Sequence, residues 1–502
     1  MCFFRPGSIP IILCLIAWLS SRKKFIGSFI KVISPNRIFN VMYDAIIIGA
    51  GLSGLSAGIR LAMFGRRVCI VEKHIEVGGL NSFYKKKEHW FDVGLHAMTN
   101  YTPKGVRSSP LGKLLKQLRF SYDDFRLCQQ SFSEIRFPDH TLKFTNDFQF
   151  FRQEIADKFP AQSDGFEKLI ALILGHDELS LKSSFISSRE ILRSFISDPV
   201  LVDMLLCPLM YYGNAQEKEM DFTQFVIMFK SIYMEGFAKP EGGMRRILSM
   251  MLDKYKMHGG ELRLGKGVRS IEVENGSFKS VILANDEEMR GKILFSSIGY
   301  LETMKICRPC PNENMDKEEG QLSFIESQYV LDCKPKDLGL ESSIIFFNTG
   351  QEFHYQVPAE TVDLRSGVIC CANNFNYPEP SSEGLIRLTF LANPGPWFNL
   401  PRLGYKEAKK EWEARCLDKV LKFLPDFRKN VLFLDTFTPK TIAKFTGHLN
   451  GAVYGSPKKR RDGRTPIKNL FICGTDQGFL GIVGASLSGI TVANLYGLKD
   501  GE

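Results

Sequence analysis

The residues with the clearest chemical use lie close together in the first part of the chain. Gly49-Ala50-Gly51-Leu52-Ser53-Gly54 is a glycine-rich turn, and Glu72 follows about twenty residues later. Glycines at the first, third and last of these positions let the chain turn tightly, let its backbone approach a pyrophosphate, and let a helix pack closely on a strand. A helix that starts there offers free N–H groups and the positive end of its dipole to the phosphates. The acid is placed to accept hydrogen bonds from ribose hydroxyls. Such a turn by itself is weak evidence, because ordinary α/β domains contain glycine-rich turns too. Its surroundings carry the argument. Asp44-Ala45-Ile46-Ile47-Ile48 ahead of it reads as a buried strand, the segment to about Phe64 as a helix, and Val68-Cys69-Ile70-Val71 as a second strand ending at Glu72. This is a βαβ unit for a bound adenine dinucleotide.

Two further residue groups could do chemistry. Phe91-Asp92-Val93-Gly94-Leu95-His96 carries an acid and a histidine, candidates for proton transfer, with a turn cap and a satisfied core histidine as the plain alternatives. Cys307-Arg308-Pro309-Cys310 is a single CxxC. A zinc site would want a second pair and a redox dithiol a thioredoxin-like setting, so the reading is structural, with no metal. Gly265-Lys266-Gly267-Val268-Arg269-Ser270 lacks the third glycine of a second nucleotide fingerprint. A separate NAD(P)H domain is therefore not expected, and electrons pass to or from something that visits the bound dinucleotide.

The elements that must position these residues are spread along 502 residues, enough for two joined domains. The fold class expected is α/β, a Rossmann-type nucleotide domain built from discontinuous segments with an α+β substrate domain. The nucleotide domain takes residues 42–120, 239–300 and 441–502; the substrate domain takes 121–238 and 301–440. Strands are expected over Ser133–Phe150, Ile293–Ile298, Phe324–Leu331, Ser343–Asn348, Leu385–Leu391 and Leu432–Phe437, and an Asn275-Gly276 hairpin turn after Val268–Ile271. Helical spacing runs through Phe148–Leu174, residues 247–257 and Tyr405–Leu424. Leu201 to Phe237 is dense in Met, Phe and Tyr, which fits a plain core or the wall of an apolar tunnel.

Composition bounds the partners. Apolar residues make up 44% and net charge is +10, without a nucleic-acid motif, so nucleic acid is not expected. The clusters Arg22-Lys23-Lys24, Lys85-Lys86-Lys87 and Lys458-Lys459-Arg460-Arg461 suit either anionic lipid headgroups or solvated faces. Twelve scattered cysteines point to a reducing compartment. In residues 1–41, the apolar run Ile9–Leu19 is short for a crossing, which takes about twenty residues. It has no clear small-residue cleavage site, and a shallow anchor or a dispensable leader ahead of Met42 remain as readings.

The Gly78-Gly79 pair after Glu72, the Phe91–His96 stretch, the loop Gly447-His448-Leu449-Asn450-Gly451-Ala452-Val453-Tyr454-Gly455 and the late segment Gly474-Thr475-Asp476 followed by Gly478–Ser486 together resemble one family. It is the FAD-dependent carotenoid and retinoid oxidoreductases (phytoene desaturase, carotenoid isomerase, retinol saturase) within the amine oxidase-like flavoproteins. The resemblance covers about Tyr43 to Gly497. It implies FAD as cofactor, held by Gly49, Ala50, Gly51, Leu52, Ser53, Gly54, Glu72, Lys73, Gly78, Gly79, Leu80, Val268, Gly474, Asp476, Gly484 and Ala485. In this family the acid after the late glycine holds the sugar or phosphate side, and the final helix points its N-terminus at the flavin. Asp92 and His96 become the flavin-proximal acid/base candidates.

What the resemblance implies is an oxidoreductase acting on a hydrophobic polyene or isoprenoid by hydride transfer at flavin N5, with quinone, O2 or a diffusible reductant as electron partner. Such an enzyme is expected in the cytoplasm at a membrane surface. Two rivals stand beside it: a flavin amine oxidase, disfavoured by only four tryptophans for an aromatic cage, and a non-catalytic prenyl-binding escort, disfavoured by the intact glycines and Glu72.

Overall fold

β1, Met42–Ile48, is an apolar run because both of its faces are covered, as is usual for a strand of a parallel sheet. In the computed structural model, which describes residues 42–94, 96–178, 185–311, 318–379 and 381–499, it lies inside an eight-stranded sheet. The expectations for residues 1–41 fall outside the described residues. β1 pairs in parallel with β2, Val68–Val71, on one side and with Glu288–Ser296 on the other. Glu261–Arg263 extends the sheet past β2. Leu470–Ile472 joins the C-terminal part of Glu288–Ser296 in parallel, so this one sheet draws on segments about four hundred residues apart. On its other side lies the antiparallel hairpin Val268–Glu274 and Ser277–Leu283, turning at Asn275 and Gly276, both with positive φ, and Cys307–Arg308 pairs in parallel with Val268–Glu274 to form that edge.

α1, Leu52–Ala62, packs back on this sheet and against the helix Gly481–Val492. Both contacts depend on glycine. A Cβ on Gly58 would lie 2.7 Å from Ile70 Cδ1, and one on Gly489 would lie 1.9 Å from the Ser53 carbonyl oxygen. The helices therefore approach backbone to backbone.

A seven-stranded sheet forms the other layer: Val431–Phe437, Ser323–Leu331, Gly384–Ala392, Ser366–Cys371, Ile344–Asn348, Ser133–Arg136 and Thr141–Phe144, in that order. All neighbours are antiparallel except Ile344–Asn348 with Ser133–Arg136. It is covered on both faces. Phe324, Ile344, Phe346, Val368 and Cys370 join a core with the helices Phe148–Lys158, Ser163–Gly175, Pro199–Gly213 and Phe222–Phe229. Their strand neighbours Ile325, Ile345, Phe347, Ile369 and Cys371 face the opposite way, onto Trp412, Cys416 and Val420 of the helix Arg402–Val420. The strand Ser366–Cys371 was not among the expected elements, and the helical stretch 148–174 is two helices broken at Phe159-Pro160.

The Met- and Tyr-rich helix Pro199–Gly213 is buried on nearly every side, as an all-round apolar helix must be. Met204, Leu205, Leu206, Leu209 and Met210 are core residues, and only its last turn reaches a cavity. The chain leaves the first layer and returns to it through one short antiparallel pair, Leu127–Gln129 with Ala238–Pro240. Among the described residues no helix is long and apolar enough to cross a membrane.

Candidate active site

Three glycines shape a cradle at the end of β1, each in a different way. Gly49 has φ +94°, and a Cβ there would lie 2.5 Å from Ser297 Oγ; Gly54 would press its Cβ to 2.1 Å from the Gly49 carbonyl oxygen. A Cβ on Gly51 would meet nothing within 4 Å. That middle glycine faces open space where a phosphate can come against bare backbone. α1 starts at Gly51 without a side-chain cap, leaving its first N–H groups available to an anion. Glu72 fastens the turn: Oε2 accepts from Ala50 N at 2.8 Å and Oε1 from His74 N at 2.9 Å. Gly78 and Gly79, at φ +113° and +57°, lie against the same turn, with Gly78 N donating to the Ala50 carbonyl at 2.8 Å.

The cradle continues as one cavity lined by Leu52, Ser53, Glu72, Lys73, Leu80, Val268, His448, Gly474 and Ala485, among others. His448 is held above its ordinary range. Burial opposes the charge, but the Glu302 carboxylate 3.6 Å from Nδ1 outweighs it, and Glu302 is correspondingly lowered. His448 and Lys73 thus put two basic side chains on the wall of this cavity. Asp476 does not line the cavity; it is a buried tie whose two oxygens accept from Tyr300 N at 2.6 Å and Ser456 N at 2.8 Å, joining three segments. Gly484 packs on the Phe479 backbone while its neighbour Ala485 faces the space.

Leu80, Asn81, Thr475 and Ala485 are shared with a second cavity of about 170 Å³. Its walls are largely apolar and aromatic, with Tyr211, Tyr212, Phe324, Val368, Tyr454 and Phe479, and the final helix Gly481–Val492 opens onto it without a side-chain cap. The Tyr212 hydroxyl is buried there with no hydrogen-bond partner among the described residues. One charged cluster borders this space. His96 Nε2 lies 3.0 Å from both Glu326 Oε2 and Thr389 Oγ1. Fully buried Arg387 donates through Nε to Glu326 Oε1 at 2.9 Å and through Nη2 to the Val93 carbonyl at 2.6 Å. Burial alone would raise the Glu326 carboxyl; Arg387 and His96 more than offset it and hold it at about 2. Burial and the nearby Arg387 lower His96 below its ordinary range, so the ring is neutral at pH 7. Because ionised Glu326 can only accept, we assign the imidazole proton to Nε2 and leave Nδ1 as the basic nitrogen.

Asp92 stands elsewhere. Its Oδ1 accepts from Met244 N at 2.8 Å, at the start of the helix Gly243–Met257, and Lys239 Nζ lies 3.7 Å from Oδ2. Glu326, Thr389 and Arg387 were not singled out by the sequence reading. The available signal was a charged residue inside each of two apolar strands, which requires a buried partner. The register supplies it by setting Glu326 opposite Thr389 and Gln328 opposite Arg387.

Comparison with known proteins agrees with this geometry. The model of the flavin containing amine oxidoreductases matches residues 52–293. The chain is 22% identical to the chloroplastic prolycopene isomerase of Arabidopsis thaliana, over 90% of this chain and 82% of the relative. It is also 22% identical to the all-trans-retinol 13,14-reductase of Danio rerio, over 90% and 85%. The fold matches the crystal structure of an oxidoreductase from Methanosarcina mazei with TM-score 0.65 and 17% identity, over 90% of this chain and 99% of that one. The chain is similar to the flavin-containing amine oxidoreductases and, among them, to carotenoid and retinoid enzymes. It is an oxidoreductase whose cofactor is FAD. The residues present fit that group: an open Gly51 where a pyrophosphate could approach bare backbone, Glu72 with lone pairs for ribose hydroxyls, and a cradle that shares walls with the aromatic cavity.

Proposed function

We propose that this flavoprotein oxidises, reduces or isomerises a hydrophobic isoprenoid polyene held in the aromatic cavity, with His96 as its proton-transfer residue. The observation that carries the reading is the join between the two cavities through Leu80, Asn81, Thr475 and Ala485, with His96 lining the second. When bound, FAD supplies hydride transfer at N5. The chain's own residues do the rest. Tyr211, Tyr212, Phe324 and Tyr454 exclude water and hold a flat apolar chain. His96 Nδ1 takes or returns a proton on the reacting carbon, while Glu326 keeps Nε2–H in place and Arg387 keeps Glu326 ionised. Asp92 is given a structural role, as the anchor of the helix Gly243–Met257. We assign residues 42–120, 239–300 and 441–502 to cofactor binding, and 121–238 and 301–440 to the substrate.

The prolycopene isomerase and retinol reductase relatives, each aligned over 90% of the chain, support the polyene class. None of Trp90, Trp397 or Trp412 lines the cavity, which weighs against an aromatic-caged amine. We further propose that the protein works at a membrane surface, where lipid tails already shelter the substrate. Exposed Phe185 shares a cavity wall with Lys458, whose side chain is more than half exposed, which suits entry from an anionic bilayer.

The test is turnover of a carotenoid or retinoid held in anionic liposomes. The wild type should co-sediment with the vesicles and convert the polyene, whereas His96→Ala should keep its FAD spectrum and lose 10²- to 10⁴-fold in rate, roughly the worth of a positioned acid or base. Where His96 acts as the base, activity should be flat at neutral pH and fall on the acid side, below the ordinary imidazole range, as the ring becomes protonated. Full activity of His96→Ala removes it from the mechanism; turnover of a soluble amine with no isoprenoid converted removes the substrate class.

A further inference from the structure

A third cavity of about 400 Å³ adjoins the polyene site, and Phe479 is a wall of both. Its polar groups are mostly satisfied. Lys458 Nζ pairs with Glu318 at 2.7 Å, Arg461 with Asp221 at 3.0 Å, and Glu178 with Lys230 at 2.9 Å. Two donors are left over. Lys459 Nζ makes one hydrogen bond, to the Tyr454 carbonyl at 2.6 Å, and pairs with no carboxylate among the described residues. Gln224, 8% exposed, has its Nε2 buried without a partner. Both line this cavity. A buried amide donor left unmade is destabilising, and an ammonium drawn out of water costs more unless an anion meets it. Burial pulls Lys459 down to about 8, offset only in part by the charge of Asp476.

We propose that this cavity receives the carboxylate head of an amphipathic polyene, with Lys459 and Gln224 Nε2 as donors and the tail passing Phe479 toward His96. The inference rests on the polyene reading above and names a substrate class within it. One ammonium without an ion-pair partner among the described residues and one neutral amide match a single negative charge. Glu178 and Asp221 on the same walls disfavour a diphosphate, which brings more charge than the site can balance. The backbone bond from Lys459 to Tyr454 ties the head site to a residue of the polyene cavity, so the two ends of one ligand are read by one loop.

The experiment is equilibrium binding to the FAD-loaded protein, followed by flavin absorbance and protein fluorescence, with all-trans-retinoic acid and all-trans-retinol as a pair that differs only at the head. The wild type should prefer the acid by tenfold or more. Lys459→Met should remove the preference and leave the alcohol within twofold, and Gln224→Leu should reduce it, while Lys458→Met should keep it. Intact FAD spectra show that each variant is folded. Equal affinity for acid and alcohol, or an undiminished preference in both Lys459→Met and Gln224→Leu, overturns the inference. So does binding of inorganic phosphate as tight as that of the acid, which makes the site a phosphate site. Binding and turnover of retinol without any preference for the acid defeats this inference alone; binding of neither polyene defeats the reading beneath it.

Discussion

Glu72 combines two duties that a motif does not separate. In the folded chain its carboxylate already accepts from Ala50 N and His74 N, and each oxygen keeps a lone pair for a ribose hydroxyl. Glu72→Ala therefore loosens the glycine turn as well as the nucleotide. Hydrogen bonds to a charged acceptor contribute about 1.5–3 kcal/mol each, so FAD affinity should fall by a factor of about ten to a hundred or more. Release of free flavin on gel filtration measures this, and unchanged retention would show that the turn and ribose are held by other groups. This residue was legible in the sequence because its meaning is local: strand, turn, helix and acid lie within about thirty residues. His96 was legible only as a type in a family pattern. Its protonation state depends on Glu326 and Arg387, which are distant in sequence and acquire their roles only when two strands pair.

At the scale of elements, the strands Ser323–Leu331 and Gly384–Ala392 carry an ion pair through an apolar sheet that is covered on both faces. Breaking such a pair by removing one partner costs about 3–5 kcal/mol, because the other charge stays buried. Glu326→Gln should therefore lower the urea midpoint sharply. The wild type should also show a pH signature that the variant lacks. Glu326 is held at about 2 against an ordinary 4.5, so its contribution is complete above about 4.5 and is lost as pH falls from there toward 2. If Glu326→Gln and the wild type lose stability in parallel between pH 5 and 3, the pair does not stabilise the fold. The strands were readable from their β-branched runs; their order was not, because register is a long-range property. The Met-rich segment illustrates the same limit. Its composition fits core and tunnel equally, and only the packed helix shows Met204 to Met210 inside and Tyr211 and Tyr212 at the cavity.

At the scale of the whole molecule, the first sheet starts cleanly at Met42, whose partner is Arg290. A chain shortened to begin at Met42 loses no described strand and should fold and take up FAD, which circular dichroism and the flavin spectrum would report; a colourless, insoluble product would make residues 1–41 part of the fold. The first sheet also has an order of completion. Its strand Leu470–Ile472 and the helix Gly481–Val492 come late in the chain, and Gly489 of that helix seats against Ser53 of the first turn. During synthesis the ribosome delivers the phosphate turn early and the flavin end of the site hundreds of residues later. A nascent chain stalled before residue 470 carries a bare edge on Glu288–Ser296 and half a binding site. The FAD site is thus complete only after this late segment is made, and a premature stop ahead of Leu470 should yield a protein without colour.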